Sequence, residues 1–441
     1  MLNIYKFFCY LNYPLWLLVL NVRRLKGKEH WTRYKEKLGI CLPNPPKKNV
    51  IWVNALGLGE TLSLAFFLQE LAKKFENHTI LFTSSTLQSQ LALAKIPLRK
   101  NIIHQFSPVD NYYALNRFLK HWNPKIALFS ELDIWPFRIM ELKKRKKALL
   151  LFNSRMNNAK KKSRKMLGKI FSEPLKAFDH IYLQDEKSKA HFLELGAEEK
   201  KVKVSGPIKS AGTIFSDYSA IEKKIRSTMQ NKIFWTAASV HESEENEILE
   251  AYKLAKRELP NLILIIVPRS IELSKTTVRK SMQYSGFVKY RYRKNDMPNE
   301  NTEIFVVGRV GELGLWYKLS FVSFIGNSLN YEQIKTGKNP FEALQARSVV
   351  IHGPKMLEPG YKKLSKLGVT DIVNNRFDIF QALVKYSVPS IREPKIIAGT
   401  KLINENNKIV HNLVTDIYFI AKKKGTFYLI SLIKFFSLFL R

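Results

Sequence analysis

The sequence predicts an α/β protein made of two tandem Rossmann-like, doubly wound domains, with an apolar N-terminal helix ahead of them. Three observations predict it. Short apolar runs alternate with amphipathic segments along most of the chain, the signature of βαβ units whose parallel sheet is covered on both faces. The runs fall into two series separated by a polar stretch at 210–230. The chain has 441 residues, enough for two or three domains, and its 45% hydrophobic and 25% charged composition is that of a globular protein.

Residues 1–45 read as a membrane anchor with a basic flank. An apolar run over 7–20 is broken by Asn12 and Pro14, with Lys6 before it and Arg23, Arg24, Lys26 and Lys28 after it. It is shorter than the roughly 20 apolar residues of a full span, and no small-residue cleavage site follows. An inserted anchor or an interfacial helix fits, its basic flank on the cytoplasmic side. The first domain, 46–210, has expected strands at 50–54, 79–83, 125–129, 148–152 and 180–183. A hinge linker follows at 211–230. The second domain, 231–395, has expected strands at 233–236, 262–267, 287–290, 304–307, 321–325 and 349–352. The rest, 396–441, reads as a helical segment whose apolar stretch 427–440, carrying Lys434, either meets a membrane or packs on the fold.

The net charge of +36 points to an anionic partner, whether nucleic acid, acidic lipid or a phosphorylated substrate, or to a lysine-rich composition spread over the surface. The basic runs 143–147 and 160–162 read as solvated faces. No stacking motif or nucleic-acid module accompanies the charge, so nucleic acid is not expected as a partner. The two cysteines, Cys9 and Cys41, have no metal-ligand spacing, so a reducing compartment and no zinc site are expected.

Ligands of doubly wound sheets lie at the carboxyl ends of the strands, and two such domains make a cleft between them the expected site. The chemistry-bearing residues follow that rule. Glu60 comes after a strand and the turn Gly57-Leu58-Gly59; glycines permit a tight turn there. Glu60 is either a general base or a stabiliser of the first helical turn. Glu131 and Asp133 follow the strand at 125–129, and Asp133 suits a helix cap before Pro136. In the second domain Ser239 has capping-box spacing to Glu242. Arg269 ends the next strand as a rim cation or a plain surface arginine. Asn339 and Pro340 suit the N-cap and N1 positions of a helix, an anion-binding terminus with Lys338 beside it and Glu342 in its first turn, suited to ribose hydroxyls.

The ordered series of motifs resembles one family. Trp52–Glu60, Glu131–Pro136, Asn153–Arg155, Gly206–Lys209, Ala237–Glu245, Pro268-Arg269, Gly311–Leu313 and Gly337–Glu342 are together similar to the 3-deoxy-D-manno-octulosonic acid (Kdo) transferases. The stretch Gly27-Lys28-Glu29, Arg33, Glu36 and Gly39 also resembles that family. The likeness runs from about residue 1 to about 390. It implies a GT-B fold and inverting transfer of Kdo from CMP-Kdo to a lipid A precursor at the cytoplasmic face of the bacterial inner membrane, with no cofactor and no metal. Glu60 corresponds to the family's catalytic base. Glu131 and Lys209 would support the acceptor or the transition state, and Ser239, Arg269, Lys338, Asn339 and Glu342 would hold the nucleotide sugar. The family commonly has His where this chain has Asn54, Ser270 and Lys338, a departure that bears on donor identity. The alternative reading is a related GT-B transferase using another nucleotide sugar or another lipid acceptor.

Overall fold

The computed structural model describes residues 2–44, 48–357 and 359–423. They form two units, Met1–Ala211 with Lys408–Arg441, and Gly212–Asn407.

The first unit is a seven-stranded sheet. Its strands are β1 (Val50–Asn54), β2 (Thr79–Ser84), β3 (Ile102–Phe106), β4 (Ile126–Ser130), β5 (Ala148–Ser154), β6 (His180–Leu183) and β7 (Val202–Val204). Their spatial order is β3-β2-β1-β4-β5-β6-β7, and every ladder is parallel. β1, β2, β4 and β5 are buried at every position, because helices cover both faces and leave no solvent side for alternation. Two of the strands were not legible as apolar runs. β3 carries His104 and Gln105, and β7 is a three-residue edge strand with Lys203 in its centre. The helix Tyr112–Trp122 is typical of the covering layer. Asn111 caps it by accepting from the Tyr113 and Ala114 amides, and it buries Leu115, Phe118, Leu119 and Trp122.

The second unit repeats the plan with β8 (Ile233–Val240), β9 (Leu262–Pro268), β10 (Val288–Arg291), β11 (Ile304–Val307), β12 (Ser320–Ile325), β13 (Val349–His352) and β14 (Thr370–Ile372). The order is β10-β11-β9-β8-β12-β13-β14, again all parallel. The polar edge strand β14 was also missed in the sequence. The expected linker is not a plain connection: it holds the helix Ser219–Thr228. Ile225 and Met229 of this stretch are buried with Phe234 and Ile263, and Ile221 packs beside them. The spacing of Ile221 and Ile225 was the helical signal within an otherwise polar segment.

The expected anchor takes a different form. Among the described residues no helix is long and apolar enough to cross a membrane. The run is two short helices, α1 (Leu2–Leu11) and α2 (Tyr13–Leu25), separated where Asn12 and Pro14 interrupt the pattern. Asn12 turns inward and accepts from the Asn111 side chain at 2.8 Å, and Tyr5 donates to Asp110 at 2.7 Å. The opposite faces leave Ile4, Phe7, Phe8, Leu11, Leu15 and Leu18 exposed. The segment around the basic flank packs on the first unit through its apolar residues: Leu20, Tyr34 and Leu38 pack with Val109 and Ala114, while Lys26 and Lys28 stay exposed. Gly39 has φ +70°, and a Cβ there would lie 2.5 Å from the Ala114 carbonyl oxygen.

The expected C-terminal segment begins earlier than 396. A helix runs over Pro389–Lys423, and its last turns bury Val410, Leu413, Ile417 and Ala421 in the first unit's core. The apolar stretch 427–440 lies outside the described residues. Burial of this kind makes Leu413→Ala and Ile417→Ala each destabilise the first unit by about 2–5 kcal/mol. Urea unfolding followed by tryptophan fluorescence checks this; losses no larger than those at exposed helix positions would contradict it.

Candidate active site

In the first sheet the strand order reverses between β1 and β4. The loops leaving them diverge, and ligands of such sheets bind beside that point. Glu60 and Glu131 follow these two strands. Glu60 sits in the short helix α3 (Leu58–Ser63). Its Oε2 accepts from the Leu56 amide at 2.8 Å and from the Ser130 hydroxyl at 3.4 Å. Among the described residues its Oε1 accepts no hydrogen bond. Glu60 therefore does stabilise the local turn, with one oxygen left over. The glycines around it are not sterically required: Gly57 is extended, and a Cβ at Gly57 or Gly59 would meet open space.

Glu131 has φ +58°, a left-handed conformation rare outside glycine. It accepts from Asn153 Nδ2 at 3.1 Å and Gln184 Nε2 at 3.3 Å. Asn153, itself at φ +54°, also accepts from the Ile208 amide at 3.0 Å, which ties in the turn carrying Lys209. Burial pushes the Glu131 carboxyl up to about 7, against the pull of Lys209 and with the help of Glu60. The three residues expected at this end are thus electrostatic neighbours.

Beneath them lies a buried polar chain. The Trp52 indole N–H donates to Thr83 at 2.8 Å, Thr83 donates to the Asn54 side-chain carbonyl, and the Asn54 amide donates to Asp133. Asp133 is not the helix cap expected of it. The cap position before Pro136 is Trp135, with no side-chain cap bond, and Asp133 is buried. Burial pushes its carboxyl up to about 6, while Arg138 and the Asn54 amide hold it down.

In the second sheet the reversal falls between β8 and β12. The cap expected at Ser239 lies two residues on. His241 Nδ1 accepts from the Ser243 amide, and Glu244 accepts from the His241 amide at 2.9 Å, closing a capping box. Ser239 instead occupies a bulge at φ +57°, where the pairing with β9 shifts register. Glu244 was missed. It is fully buried and also accepts from the amides of Asn327, Ser328 and Leu329 at 2.6–2.9 Å, so it holds the loop after β12.

Asn327 accepts from Arg269 Nη1 at 3.1 Å and donates to the Thr336 carbonyl. Arg269 is exposed, and burial together with Arg269 lowers the Lys338 ammonium below its usual range. The two cations therefore share one neighbourhood. The helix expected to open at Asn339 and Pro340 begins one residue later, at Phe341, and is only five residues long. Asn339 still accepts from the Phe341 amide at 3.0 Å, but so short a helix has little dipole. Glu342 stands apart from these cations, with the buried Tyr317 as its charge neighbour. Desolvation pushes it up to about 7. Ser270 precedes a single 3-10 turn, Ile271–Leu273, without a side-chain cap bond.

Comparison with known proteins bears on this arrangement. The family model for 3-deoxy-D-manno-octulosonic-acid transferase (kdotransferase) matches residues 32–211. A 3-deoxy-D-manno-octulosonic acid transferase of Rickettsia bellii is 30% identical over 358 residues, covering 81% of this chain and 83% of the relative. This chain belongs to the Kdo transferase family. A Haemophilus influenzae enzyme of the same name is 28% identical, with 91% of this chain and 94% of that one covered. The crystal structure of a glycosyltransferase from Rickettsia africae superposes with a TM-score of 0.51 at 15% identity, covering 86% of this chain and 99% of that one. That likeness is one of fold: two parallel α/β sheets of GT-B type. As a Kdo transferase family member the protein is a glycosyltransferase, and residues 32–211 include Glu60, Glu131 and Lys209.

Two tests follow from the geometry. The folded state holds a proton on Glu131 that the unfolded chain releases above its ordinary 4.5. The associated stability is complete below about pH 4.5 and is lost as pH rises through about 7. Glu131→Gln should therefore gain about 2–3 kcal/mol over wild type between pH 5 and pH 8. Thermal melts at both values check it; a difference independent of pH would contradict it. Glu244→Ala leaves buried amides unpaired and should cost about 2–4 kcal/mol, read by urea unfolding; a cost below about 1 kcal/mol would refute this role.

Proposed function

We propose that this glycosyltransferase moves Kdo from CMP-Kdo to a lipid A precursor, lipid IVA, with inversion at the anomeric carbon. The observation that carries the reading is the state of Glu60. Two donors orient its Oε2, and Oε1 is free to accept a proton at the carboxyl end of the sheet. In the step proposed, an acceptor hydroxyl attacks the anomeric carbon and gives its proton to Glu60. The new carbon–oxygen bond forms as the bond to the phosphate oxygen of CMP breaks, and CMP leaves as the anion. Lys209 beside Glu131 offers a cation to the developing charge, and Arg269 with Lys338 suits the nucleotide phosphate. Glu131, half protonated near neutral pH, suits a hydrogen bond to the acceptor or to the sugar carboxylate. Ser239, Asn339 and Glu342 complete the proposed nucleotide-sugar set.

The acceptor is an anionic lipid, in keeping with the charge of +36 and with the exposed apolar faces of α1 and α2. Helices of that length with a basic flank lie in a membrane interface rather than across it. We therefore infer a location at the cytoplasmic face of the bacterial inner membrane. The second reading, a different nucleotide sugar or lipid, is favoured by the Asn54, Ser270 and Lys338 departures.

Incubation with CMP-Kdo and lipid IVA in detergent micelles separates the two. Product from wild type, and a rate about 10²- to 10⁴-fold lower for Glu60→Ala, is the expected result. No product from folded wild type would remove the Kdo reading.

A further inference from the structure

A cavity of about 250 Å³ lies in the first unit between α2, the 3-10 turn Arg33–Leu38 and the loops after β2, β3 and β4. Three cations line it, Arg23, Lys37 and Arg138, with two carboxylates, Glu29 and Asp110. The carboxylates are already engaged. Glu29 is paired with both Arg23 and Lys37. Asp110 accepts from the Tyr5 hydroxyl and from the Phe137 and Arg138 amides.

Several donors around the cavity are not. Arg138 is 3% exposed; its Nη2 donates to the Pro108 carbonyl and Asp133 is its ion-pair partner at 3.7 Å from Nη1, yet its Nε and Nη1 make no hydrogen bond. Ser107, 5% exposed, has an unpartnered hydroxyl, and the Trp16 indole N–H is unpartnered as well. Buried donors in a native fold are ordinarily satisfied. A phosphate, rich in acceptors and matched to a guanidinium, suits these donors.

The surroundings specify more. The wall made by α2 contributes Val19, and the outer face of that helix exposes Leu15 and Leu18. The cavity also lies one loop from Glu60: Ser85, on its wall, donates its amide to the Leu56 carbonyl, and the Leu56 amide holds Glu60. We propose that this cavity binds the phosphomonoester headgroup of a lipid, with Arg138 and Ser107 as its buried donors and the acyl chains running along α2. That this lipid is the glycosyl acceptor rests on the proposed function; the binding itself does not.

The test is isothermal titration calorimetry on the full chain without donor sugar. The probes are dihexanoyl phosphatidic acid, inorganic phosphate, and dihexanoyl phosphatidylcholine as the capped control. Wild type should bind phosphatidic acid more tightly than either of the others. Arg138→Met should weaken it about 10- to 100-fold and Ser107→Ala about 3- to 10-fold. Val19→Trp fills the cavity without touching a charge and should abolish binding, which keeps the test decisive if Arg138→Met does not fold. Inorganic phosphate bound as tightly as phosphatidic acid would overturn the lipid assignment. Absence of phosphatidic acid binding to wild type, or binding by the folded variants equal to wild type, would overturn the site. Failure of Kdo transfer with headgroup binding intact would instead count against the donor reading alone.

Discussion

Each sheet reverses its strand order once, and the candidate chemistry depends on that constraint. Where the connections leave in opposite directions at the carboxyl edge, the space above the sheet is not closed by a crossover. β1 and β4 make this point in the first unit, β8 and β12 in the second. Adjacent loops supply partners distant in sequence beside the local ones: Ser130 for Glu60, Asn153 and Gln184 for Glu131, and Asn327, Ser328 and Leu329 for Glu244.

Two arrangements of buried acid are set against each other in this protein. Glu244 accepts from four backbone amides and acts as a fixed pin for loops; Asp110 accepts from two amides and the Tyr5 hydroxyl, although burial still raises its carboxyl. Glu131 and Glu342 are raised to about 7: at Glu131 burial outweighs the Asn153 and Gln184 donors and the Lys209 cation, and at Glu342 desolvation acts alone. The first arrangement stabilises a loop and uses up the acceptor capacity. The second leaves a group able to exchange a proton near neutral pH, as sites of catalysis and binding often do. The left-handed backbone at Glu131 and Asn153 belongs with the second kind, since local strain is retained where surrounding bonds overdetermine the geometry.

The N-terminal segment combines two demands in 25 residues. Asn12, Tyr5 and Cys9 turn toward the sheet domain, where the Asn111 side chain reaches both Asn12 and the Cys9 carbonyl. Ile4, Phe7, Phe8, Leu11, Leu15 and Leu18 face outward. A single straight helix would have carried one continuous apolar run; the break at Asn12 and Pro14 instead gives each short helix its own packed face and its own exposed face.

The sequence by itself determined the class of fold, most of the strands, the family and the positions of the acidic residues after β1 and β4. Apolar runs buried on both faces and the ordered motifs carry that information locally. It did not reveal β3, β7 and β14, whose short or polar strands owe their pairing to neighbours already in place. The helix in the expected linker was legible only in the Ile221 and Ile225 spacing. Partnerships were decided by tertiary structure alone. That Glu244 holds the loop after β12, that Asn54 joins Asp133, that the Gly57 turn leaves open space and that Arg138 keeps unpaired donors all depend on residues brought together from separate strands. Hydrogen bonding and desolvation are set by distance in space, and a linear pattern contains no measure of it.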